Sequence, residues 1–163
     1  MAAPALGFLP SEGNNHVNKS RTPHTPENRH RGRRHGERHI GDRAATKLST
    51  HALDTYQGKP AAGIRIDFSR KEGDAWKLLK TFTADENGRV GEQGTLMNAD
   101  TMAIGRYELL FYVEEYYKRS GVRLTDPAFL DTVPVRFAIF DAKQSYHVPL
   151  YFSPWGILSY RGS

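Results

Sequence analysis

His51 and His147 are the side chains best suited to proton transfer in the part of the chain that follows residue 46. Histidine has an unperturbed pKa of about 6.5, so it can accept or donate a proton near neutral pH. Each histidine lies on the polar side of an alternating pattern, in "KLSTHALD" and in "SYHVPLYF". The pair could divide acid and base work, or one ring could orient the other. The alternative for either residue is a half-exposed, hydrogen-bonded histidine without a chemical role.

The strand face that carries His147 also carries Pro149 and Tyr151, because residues two apart in a strand point the same way. Tyr151 is large and partly apolar, which is not typical of a face that only meets water. Such a face often docks onto another subunit.

Period-two patterns that would position these residues run through the chain from Lys47 onward. Apolar and polar residues alternate in "GIRIDFS", "RYELLFYVEEYY", "PVRFAIF" and "SYHVPLYF", and the second run predicts a strand that includes Val113. Turn signals such as "YQGKP", "ADENGR" and "SPWG" separate the runs. "WKLLKTF" is ambiguous between strand and helix, but its neighbours favour a strand, and one short helix is expected near residues 126–130. We therefore predict an all-β fold, an antiparallel β-sandwich of about 7–8 strands with one short helix.

The composition limits the class of protein. A chain of 163 residues suits one ordinary domain, and the lack of cysteine excludes disulfides, cysteine-ligated zinc and a cysteine nucleophile. The lack of cysteine also suits a reducing compartment. No apolar run approaches the ~18–20 residues that span a bilayer, and "MAAPALGFLP" lacks the basic start of a secretory signal. We therefore expect a cytoplasmic protein.

Residues 1–46 hold most of the net charge. They contain eight Lys or Arg and four Asp or Glu, whereas residues 47–163 contain fifteen and fourteen. The stretch "NRHRGRRHGERHIGDR" has no apolar periodicity, so we predict a disordered basic N-terminal arm over residues 1–46. The alternatives for its role are nucleic-acid contact, organelle targeting, loose metal binding by His30, His35 and His39, or none beyond a solvated extension. Its four acidic residues weaken the reading as a mitochondrial transit peptide.

Three blocks of sequence resemble the transthyretin-like family of 5-hydroxyisourate hydrolases. They are "LSTHALDTYQGKPAAGIRI", "TFTADENGR" and "YHVPLYFSPWGILSYRGS", with "FLDTVPVRF" between the last two. The terminal Tyr-Arg-Gly-Ser, a short way after "YHVPL", is the most specific of these signals. The resemblance covers residues 47–163, which we interpret as a transthyretin-like hydroxyisourate hydrolase domain.

The resemblance implies a transthyretin-like sandwich that assembles as a homotetramer, with active sites in the channel between dimers. It implies hydrolysis of 5-hydroxyisourate, a planar urate-derived ring, at a cyclic amide carbon–nitrogen bond. The product would be 2-oxo-4-hydroxy-4-carboxy-5-ureidoimidazoline, in urate breakdown. The catalytic residues that it implies are His51, Arg89 and His147. The substrate-binding residues that it implies are Tyr160, Arg161, Gly162 and Ser163. It implies no cofactor and no metal.

Such a reaction requires three tasks: activation of water, stabilisation of charge on the carbonyl oxygen, and protonation of the leaving nitrogen. A histidine can activate the water, and which of the two is the base stays open at this point. Arg89 cannot be a base, because arginine stays protonated in proteins; its planar fork suits a developing oxyanion. Without the resemblance, Arg89 would be a surface arginine that ends the "DENGR" turn. Tyr160 could pack against the ring, Gly162 allows close backbone approach, and Ser163 brings a hydroxyl and the terminal carboxylate.

Two other functions are alternatives at the level of sequence. A non-catalytic transthyretin-like carrier would bind a small ligand in the same channel. It would not need two histidines, this arginine and a free Tyr-Arg-Gly-Ser end together. A nucleic-acid-binding protein would act through the basic arm, and its affinity would fall steeply with salt. The near-neutral domain shows no basic, aromatic-rich face in its sequence, so we do not expect nucleic acid or a membrane as a partner.

Overall fold

The computed structural model describes residues 46–162. Two predictions lie outside the described residues: the basic arm, apart from its last residue Thr46, and the role of Ser163. Within the described range, no helix is both long and apolar enough to cross a membrane.

The described structure consists mainly of short strands with one α-helix. In chain order the strands are β1 (Leu48–Ser49), β2 (Ala52–Asp54), β3 (Lys59–Pro60), β4 (Arg65–Glu72), β5 (Ala75–Thr83), β6 (Thr95–Met97), β7 (Gly105–Phe111), β8 (Val133–Ile139), β9 (Tyr146–His147), β10 (Leu150–Ser153) and β11 (Gly156–Ser159). The helix α1 (Val113–Arg119) follows β7, and a 3-10 turn at Glu92–Gly94 precedes β6. The ambiguous "WKLLKTF" lies in β5, so its interpretation as a strand is confirmed.

The strands form two layers, as predicted for a sandwich. One layer is a four-stranded antiparallel sheet in the order β5-β4-β7-β8. The other layer contains two shorter sheets, β6-β1-β9 and β11-β10-β2-β3. Residues 50–51 separate β1 from β2, and residues 148–149 separate β9 from β10, so each pair is one longer strand with an interruption. His51 lies in the first interruption and His147 borders the second.

The first and last long strands run side by side in the same direction. Leu48 and Ser49 of β1 pair in parallel with Tyr146 and His147 of β9, and β2 pairs with β10 in the same way. The predicted antiparallel arrangement holds for the other strand pairs and differs here. A parallel pair needs a long crossover, and nearly the whole domain lies between these two strands. Alternation of apolar and polar residues carries no information on that direction.

The core lies between the two layers. The apolar residues predicted on the inner side of two strands are buried, namely Ile64, Ile66, Phe68, Tyr146, Val148, Leu150 and Phe152. Burial of a large apolar side chain contributes about 1.5–3 kcal/mol to stability. Tyr107, Tyr117 and Tyr146 are fully buried, and the hydroxyl of each has a hydrogen-bond partner. The core therefore leaves no buried phenol unpaired among these three.

The predicted strand that included Val113 is wrong at its C-terminal end. The strand β7 ends at Phe111, and α1 begins at Val113. Val113, Tyr116 and Tyr117 are buried, and this spacing of three and four residues is that of a helix face. Two ion pairs between residues four apart stabilise the exposed side of the same helix.

The predicted helix at residues 126–130 is also wrong. This segment consists of bends and irregular loop. Phe129, its largest apolar residue, is 68% exposed. The segment therefore lacks a buried face, and a short helix in water gains little from propensity alone.

A buried carboxylate, Asp54 at the end of β2, connects the sheet to α1. Its Oδ1 accepts hydrogen bonds at 2.9 Å from the N–H groups of Tyr56 and Gln57. The hydroxyls of Tyr117 and Tyr116 donate to Oδ1 and Oδ2 at 2.8 and 3.1 Å. Burial, and then the charge of Asp54, raises the pKa of Tyr116 to about 12, so this phenol stays protonated and can donate. All four contacts together satisfy a carboxylate that is only 1% exposed.

Candidate active site

His51 meets a tight turn that runs from Asp85 to Arg89. The Oδ1 of Asp85 accepts hydrogen bonds from two N–H groups of the turn, including that of Arg89, both at 2.9 Å. The N–H of Ala52 donates to the carbonyl of Gly88 at 2.8 Å. His51 and Arg89 themselves form an isolated antiparallel bridge. The backbone therefore fixes the arginine next to the histidine.

Gly88 allows this turn to approach the strand. Its φ is 72°, a left-handed conformation that favours glycine. A Cβ at this position would lie 2.3 Å from the carbonyl oxygen of Ala52 and 3.3 Å from Cδ2 of His51. Any other residue type would push the turn, and Arg89 with it, away from His51.

His147 is held by a buried serine of the neighbouring strand. Ser49 pairs with His147 in the β1–β9 register, and its Oγ shares a hydrogen bond of 2.9 Å with Nδ1 of the imidazole. This bond fixes the orientation of the ring and leaves Nε2 as the atom available to a ligand. The serine thus positions the imidazole of His147.

The C-terminal segment crosses His147. The N–H of Gly162 donates to the carbonyl of His147 at 2.7 Å, and the N–H of His147 donates to the carbonyl of Gly162 at 3.2 Å. A Cβ on Gly162 would lie 3.0 Å from Cβ and 3.1 Å from Cδ2 of His147. These distances are tighter than ordinary contact, so a larger residue at 162 would displace the segment or the imidazole.

Arg161 directs its side chain to the connection between β8 and β9. Its Cζ lies 4.9 Å from the ring centroid of Tyr146 and 5.5 Å from that of Phe140. Its Nη2 donates to Oε1 of Gln144 at 2.9 Å. These three contacts hold the segment that positions Gly162 on His147. The predicted contact of Arg161 with substrate stays a prediction.

Tyr160 lies on the surface next to Tyr151 of β10. Its ring stacks on that of Tyr151, with the centroids 6.2 Å apart, and the residue is 49% exposed. An exposed aromatic pair of this kind can cover a planar ligand or another subunit.

His51 and His147 share one electrostatic environment. Burial lowers the pKa of His51 below its ordinary value, and the charge of Arg89 lowers it further, while Asp85 acts in the opposite direction. Burial likewise lowers the pKa of His147, followed by the charges of Arg89, His51 and Lys47. The structure therefore brings the three predicted catalytic residues into one region. Both imidazoles are biased to the neutral form near pH 7.

One ring nitrogen of His51 has no partner among the described residues. Its Nε2 is buried, and no described group donates to it or accepts from it. An unsatisfied buried polar atom costs free energy, and such atoms are rare in folded proteins. A water molecule or a polar group of a ligand would satisfy Nε2, which is the property needed by a group that exchanges a proton.

The sequence analysis missed Ser49, Asp85 and Gly88. Ser49 lies two residues before His51, so the alternation already placed both on one face and could have identified it. The signal for Asp85 and Gly88 was the turn chemistry of "DENG", in which aspartate accepts backbone N–H groups and glycine takes the left-handed position. Their partner across the turn could not be read from sequence.

The charge pattern of the site suits an oxygen-rich ligand. Two neutral imidazoles stand beside one fixed cation, Arg89, which attracts carbonyl oxygens and anions. In residues 46–162, no three His, Asp or Glu side chains are grouped so as to hold a metal ion.

The fold and this set of residues define a class: a transthyretin-like sandwich with two histidines and an arginine at one place. The family model described as "HIUase/Transthyretin family" matches residues 48–162. The chain belongs to this family.

Named relatives are similar to nearly the whole described domain. The chain is 50% identical over 117 residues to 5-hydroxyisourate hydrolase 2 of Rhizobium meliloti (strain 1021), covering 72% of this chain and 96% of that protein. The structure of Klebsiella pneumoniae 5-hydroxyisourate hydrolase matches 72% of this chain and 99% of that one, with 27% identity and a TM-score of 0.57. The crystal structure of (S)-allantoin synthase matches 74% of this chain but 44% of that one, with 37% identity and a TM-score of 0.67.

Proposed function

We propose that the protein hydrolyses 5-hydroxyisourate to 2-oxo-4-hydroxy-4-carboxy-5-ureidoimidazoline in urate breakdown. The observation that carries this proposal is the convergence of His51, Arg89 and His147, in which the charge of Arg89 acts on both histidines. The high identity to a hydrolase of this substrate, over nearly that protein's full length, supports it.

In this proposal, a neutral histidine activates the water. Burial lowers the pKa of His51 and His147, so each can accept a proton near pH 7. The water oxygen bonds to the ring carbonyl carbon while its proton passes to a histidine. The carbon–nitrogen bond then breaks, and the leaving nitrogen receives a proton through the same pair of imidazoles. The histidines end the cycle unchanged, and either of them can serve as the base.

Arg89 stabilises the charge that develops during attack. The carbonyl oxygen becomes negative in the tetrahedral intermediate, and a guanidinium beside it offers fixed donors that need no reorganisation. The backbone bridge between Arg89 and His51 keeps the guanidinium close to the carbonyl group that the water activated by His51 attacks. No metal or other cofactor takes part in the proposed reaction.

The C-terminal residues form the wall of the proposed pocket. Tyr160 covers the planar ring, Gly162 lets the backbone approach it, and Ser163 supplies a hydroxyl. Arg161 contributes by holding the segment on Tyr146 and Gln144. The other possible role of its guanidinium is to bind an oxygen of the substrate. Mutation can separate this role from that of holding the segment.

We further propose that the pocket is completed in a homotetramer. Exposed apolar side chains cluster on and beside β11, namely Trp155, Ile157, Leu158 and Tyr160. A neighbouring subunit would bury them and close the half-exposed histidine face. Light scattering after gel filtration measures the mass directly, and a monomer that hydrolyses at full rate would contradict the assembly.

The deciding assay follows the absorbance of freshly generated 5-hydroxyisourate with and without the purified protein. We expect faster decay with the protein, with no added metal and no effect of a chelator. Decay at the spontaneous rate would refute the enzymatic proposal. Binding of the compound without accelerated decay would instead favour the transthyretin-like carrier.

Two further expectations belong to this proposal. A cytoplasmic location fits the absence of cysteine from the sequence. The arm of residues 1–46 is proposed to lie outside the catalytic domain of residues 47–163. Deletion of residues 1–45 should therefore leave melting temperature and turnover nearly unchanged, and a large loss of either would assign the arm to the fold.

A further inference from the structure

We propose that the outer face of the four-stranded sheet carries a second site, which binds a small phosphate-bearing anion. The site is a cavity of about 340 Å³ lined by Lys71, Trp76, Arg106, Arg136, Phe137 and Ala138. This volume is within the range of small-ligand sites. The cavity lies in the sheet that contains neither His51 nor His147, so it is distinct from the candidate active site.

Strand register places the charged residues on the side of the sheet that faces away from the core. Lys71 of β4 pairs with Trp76 of β5. The neighbours Arg70 and Tyr107 pair across β4 and β7, which brings Lys71 beside Arg106. Tyr107 is buried in the core, and consecutive residues of a strand point to opposite faces. Lys71, Trp76 and Arg106 therefore share the outer face.

Trp76 holds two of the three cations. The Cζ of Arg136 lies 5.0 Å and the Nζ of Lys71 lies 5.8 Å from the centroid of the indole ring. Cations at this distance are attracted by the negative face of the ring. The indole thus orders two long side chains over the cavity before any ligand binds, which reduces the entropy cost of binding.

The charges of the cavity are not balanced by the described residues. Arg136 donates through Nε to Oε2 of Glu108 at 2.7 Å, and Glu108 is 7% exposed. No described carboxylate forms an ion pair with Lys71 or Arg106. Three cations thus face one carboxylate, and the excess is two positive charges. A phosphate monoester carries a charge of about −1.5 to −2 near pH 7, which matches this excess.

The chemistry of the donors also favours phosphate. The Nε of Arg136 is engaged with Glu108, but its terminal N–H groups are free of that bond and can bind two oxygens of one anion. Lys71 adds a compact charge, and Arg106 adds a second planar fork. A tetrahedral anion with three exposed oxygens can contact all three cations at once.

The experiment uses the full chain with Trp155→Phe, which leaves Trp76 as the remaining tryptophan. Its fluorescence is followed during titration with inorganic phosphate at constant ionic strength. Parallel titrations use ribose 5-phosphate and adenosine monophosphate. We expect a saturable change with phosphate and both esters. Tighter binding of the nucleotide would show that the cavity also contacts the base.

Two variants determine whether the cavity is responsible. Lys71→Gln with Arg106→Gln should weaken phosphate binding about tenfold or more, because hydrogen bonds to charged groups are among the strong ones. The control Arg123→Gln removes an exposed cation elsewhere and should leave binding unchanged. Circular dichroism and a thermal melt of each variant check that the fold is intact.

Three results would overturn the proposal. One is the absence of a saturable fluorescence change during the phosphate titration at constant ionic strength, and another is equal binding by the double variant and the control. The third is binding of a single-stranded oligonucleotide without any binding of phosphate or its esters, which would assign the face to nucleic acid. None of these outcomes depends on whether the protein is a hydrolase.

Discussion

Two polar clusters lie three residues apart on the same interrupted strand, and their hydrogen bonds are satisfied to different degrees. Asp54 accepts four hydrogen bonds from surrounding groups. His51 has a buried Nε2 that forms no hydrogen bond with a described residue. Asp54 is buried and His51 is partly exposed, so the two clusters differ in burial as well as in the pairing of their polar atoms.

The difference indicates which cluster supports the fold and which can act on a ligand. A buried carboxylate whose oxygens are all paired makes the structure rigid and has no capacity left for another partner. The neighbouring Gln57 also has a buried Nε2 without a hydrogen bond to a described residue, so the contrast applies to the two ionisable groups, Asp54 and His51. An unpaired nitrogen costs stability, and binding of a ligand recovers that cost. We therefore expect changes at Asp54 to lower stability and changes at the histidines to lower turnover.

The largest expected effect is on turnover in His51→Asn and His147→Asn. A positioned acid or base contributes about 10²–10⁴-fold to rate, and each variant should lose activity in this range. The free energy of unfolding should change by no more than about 1 kcal/mol, because both residues are only partly buried and lie outside the apolar core. Initial rates and thermal melts on the same preparations test both statements. Loss of activity in proportion to loss of folded protein would instead make the histidines structural.

The opposite pattern is expected for Asp54→Ala. This substitution leaves two tyrosine hydroxyls and two N–H groups without their acceptor, which should cost about 3 kcal/mol or more of stability. The rate per folded molecule should stay close to that of the wild type. Urea unfolding and rates below the transition measure the two quantities. Tyr56→Phe, at an exposed ring nearby, is the matched control and should change neither.

A smaller effect is expected when the contacts of Arg161 are removed. Arg161→Met loses a hydrogen bond and two cation–ring contacts, which together hold the segment by about 2–3 kcal/mol. Turnover should fall at least about tenfold, which corresponds to about 1.4 kcal/mol of this total. If Arg161 acts by holding the segment that places Gly162 on His147, this segment becomes more mobile in the variant and water reaches His147. The pKa of His147 then rises towards its ordinary value. Nuclear magnetic resonance titration measures that pKa without any substrate.

Gln144→Ala distinguishes the positioning role of Arg161 from a direct role of its charge. It leaves the guanidinium in place but removes its hydrogen-bond acceptor. A rise in the pKa of His147 in both variants would support the positioning role. A rise in KM for Arg161→Met, with the pKa of His147 unchanged in both, would show direct contact with substrate.

The smallest expected effect is a change of stability with pH. The folded-state pKa of His51 and that of His147 lie below the ordinary value, so the unfolded chain binds more protons in the window between the two values. The contribution of the neutral rings to the free energy of unfolding is fully present above about pH 6.5. It is lost as the pH falls towards the folded-state pKa values of the two histidines. The free energy of unfolding, measured with urea at several pH values in this window, should rise more steeply with pH for the wild type than for the double variant His51→Asn with His147→Asn. Identical slopes would mean that the rings titrate as in the unfolded chain.

Alternation was sufficient to predict most of the fold. It placed Ile64, Ile66 and Phe68 inward, because a strand with one buried face repeats every two residues. It failed at Val113, where tyrosines spaced for a helix follow directly on a strand of similar composition. Local composition favoured β structure there, and packing against the core determined the helix.

The candidate site was predicted only in part. The resemblance supplied His51, Arg89 and His147, but not the partners that fix them. The bond between Ser49 and His147 joins positions 98 residues apart, and no local pattern encodes such a contact. The excess charge around Trp76 was missed for the same reason, since Lys71, Arg106 and Arg136 come from three strands. Near-neutral charge over the whole domain concealed a local concentration of cations.

The parallel pairing of the first and last long strands has a consequence for folding. As the chain leaves the ribosome, β1 and β2 emerge first, and they lack β9 and β10 until nearly the whole domain has been made. Contacts between distant parts of a sequence slow folding, and an unpaired strand edge invites pairing with another chain. The region around His51 is thus exposed to misassembly throughout synthesis and is completed last. Mutations that delay closure of β9 onto β1 should therefore increase aggregation of the nascent chain, even when the finished protein is as stable as before.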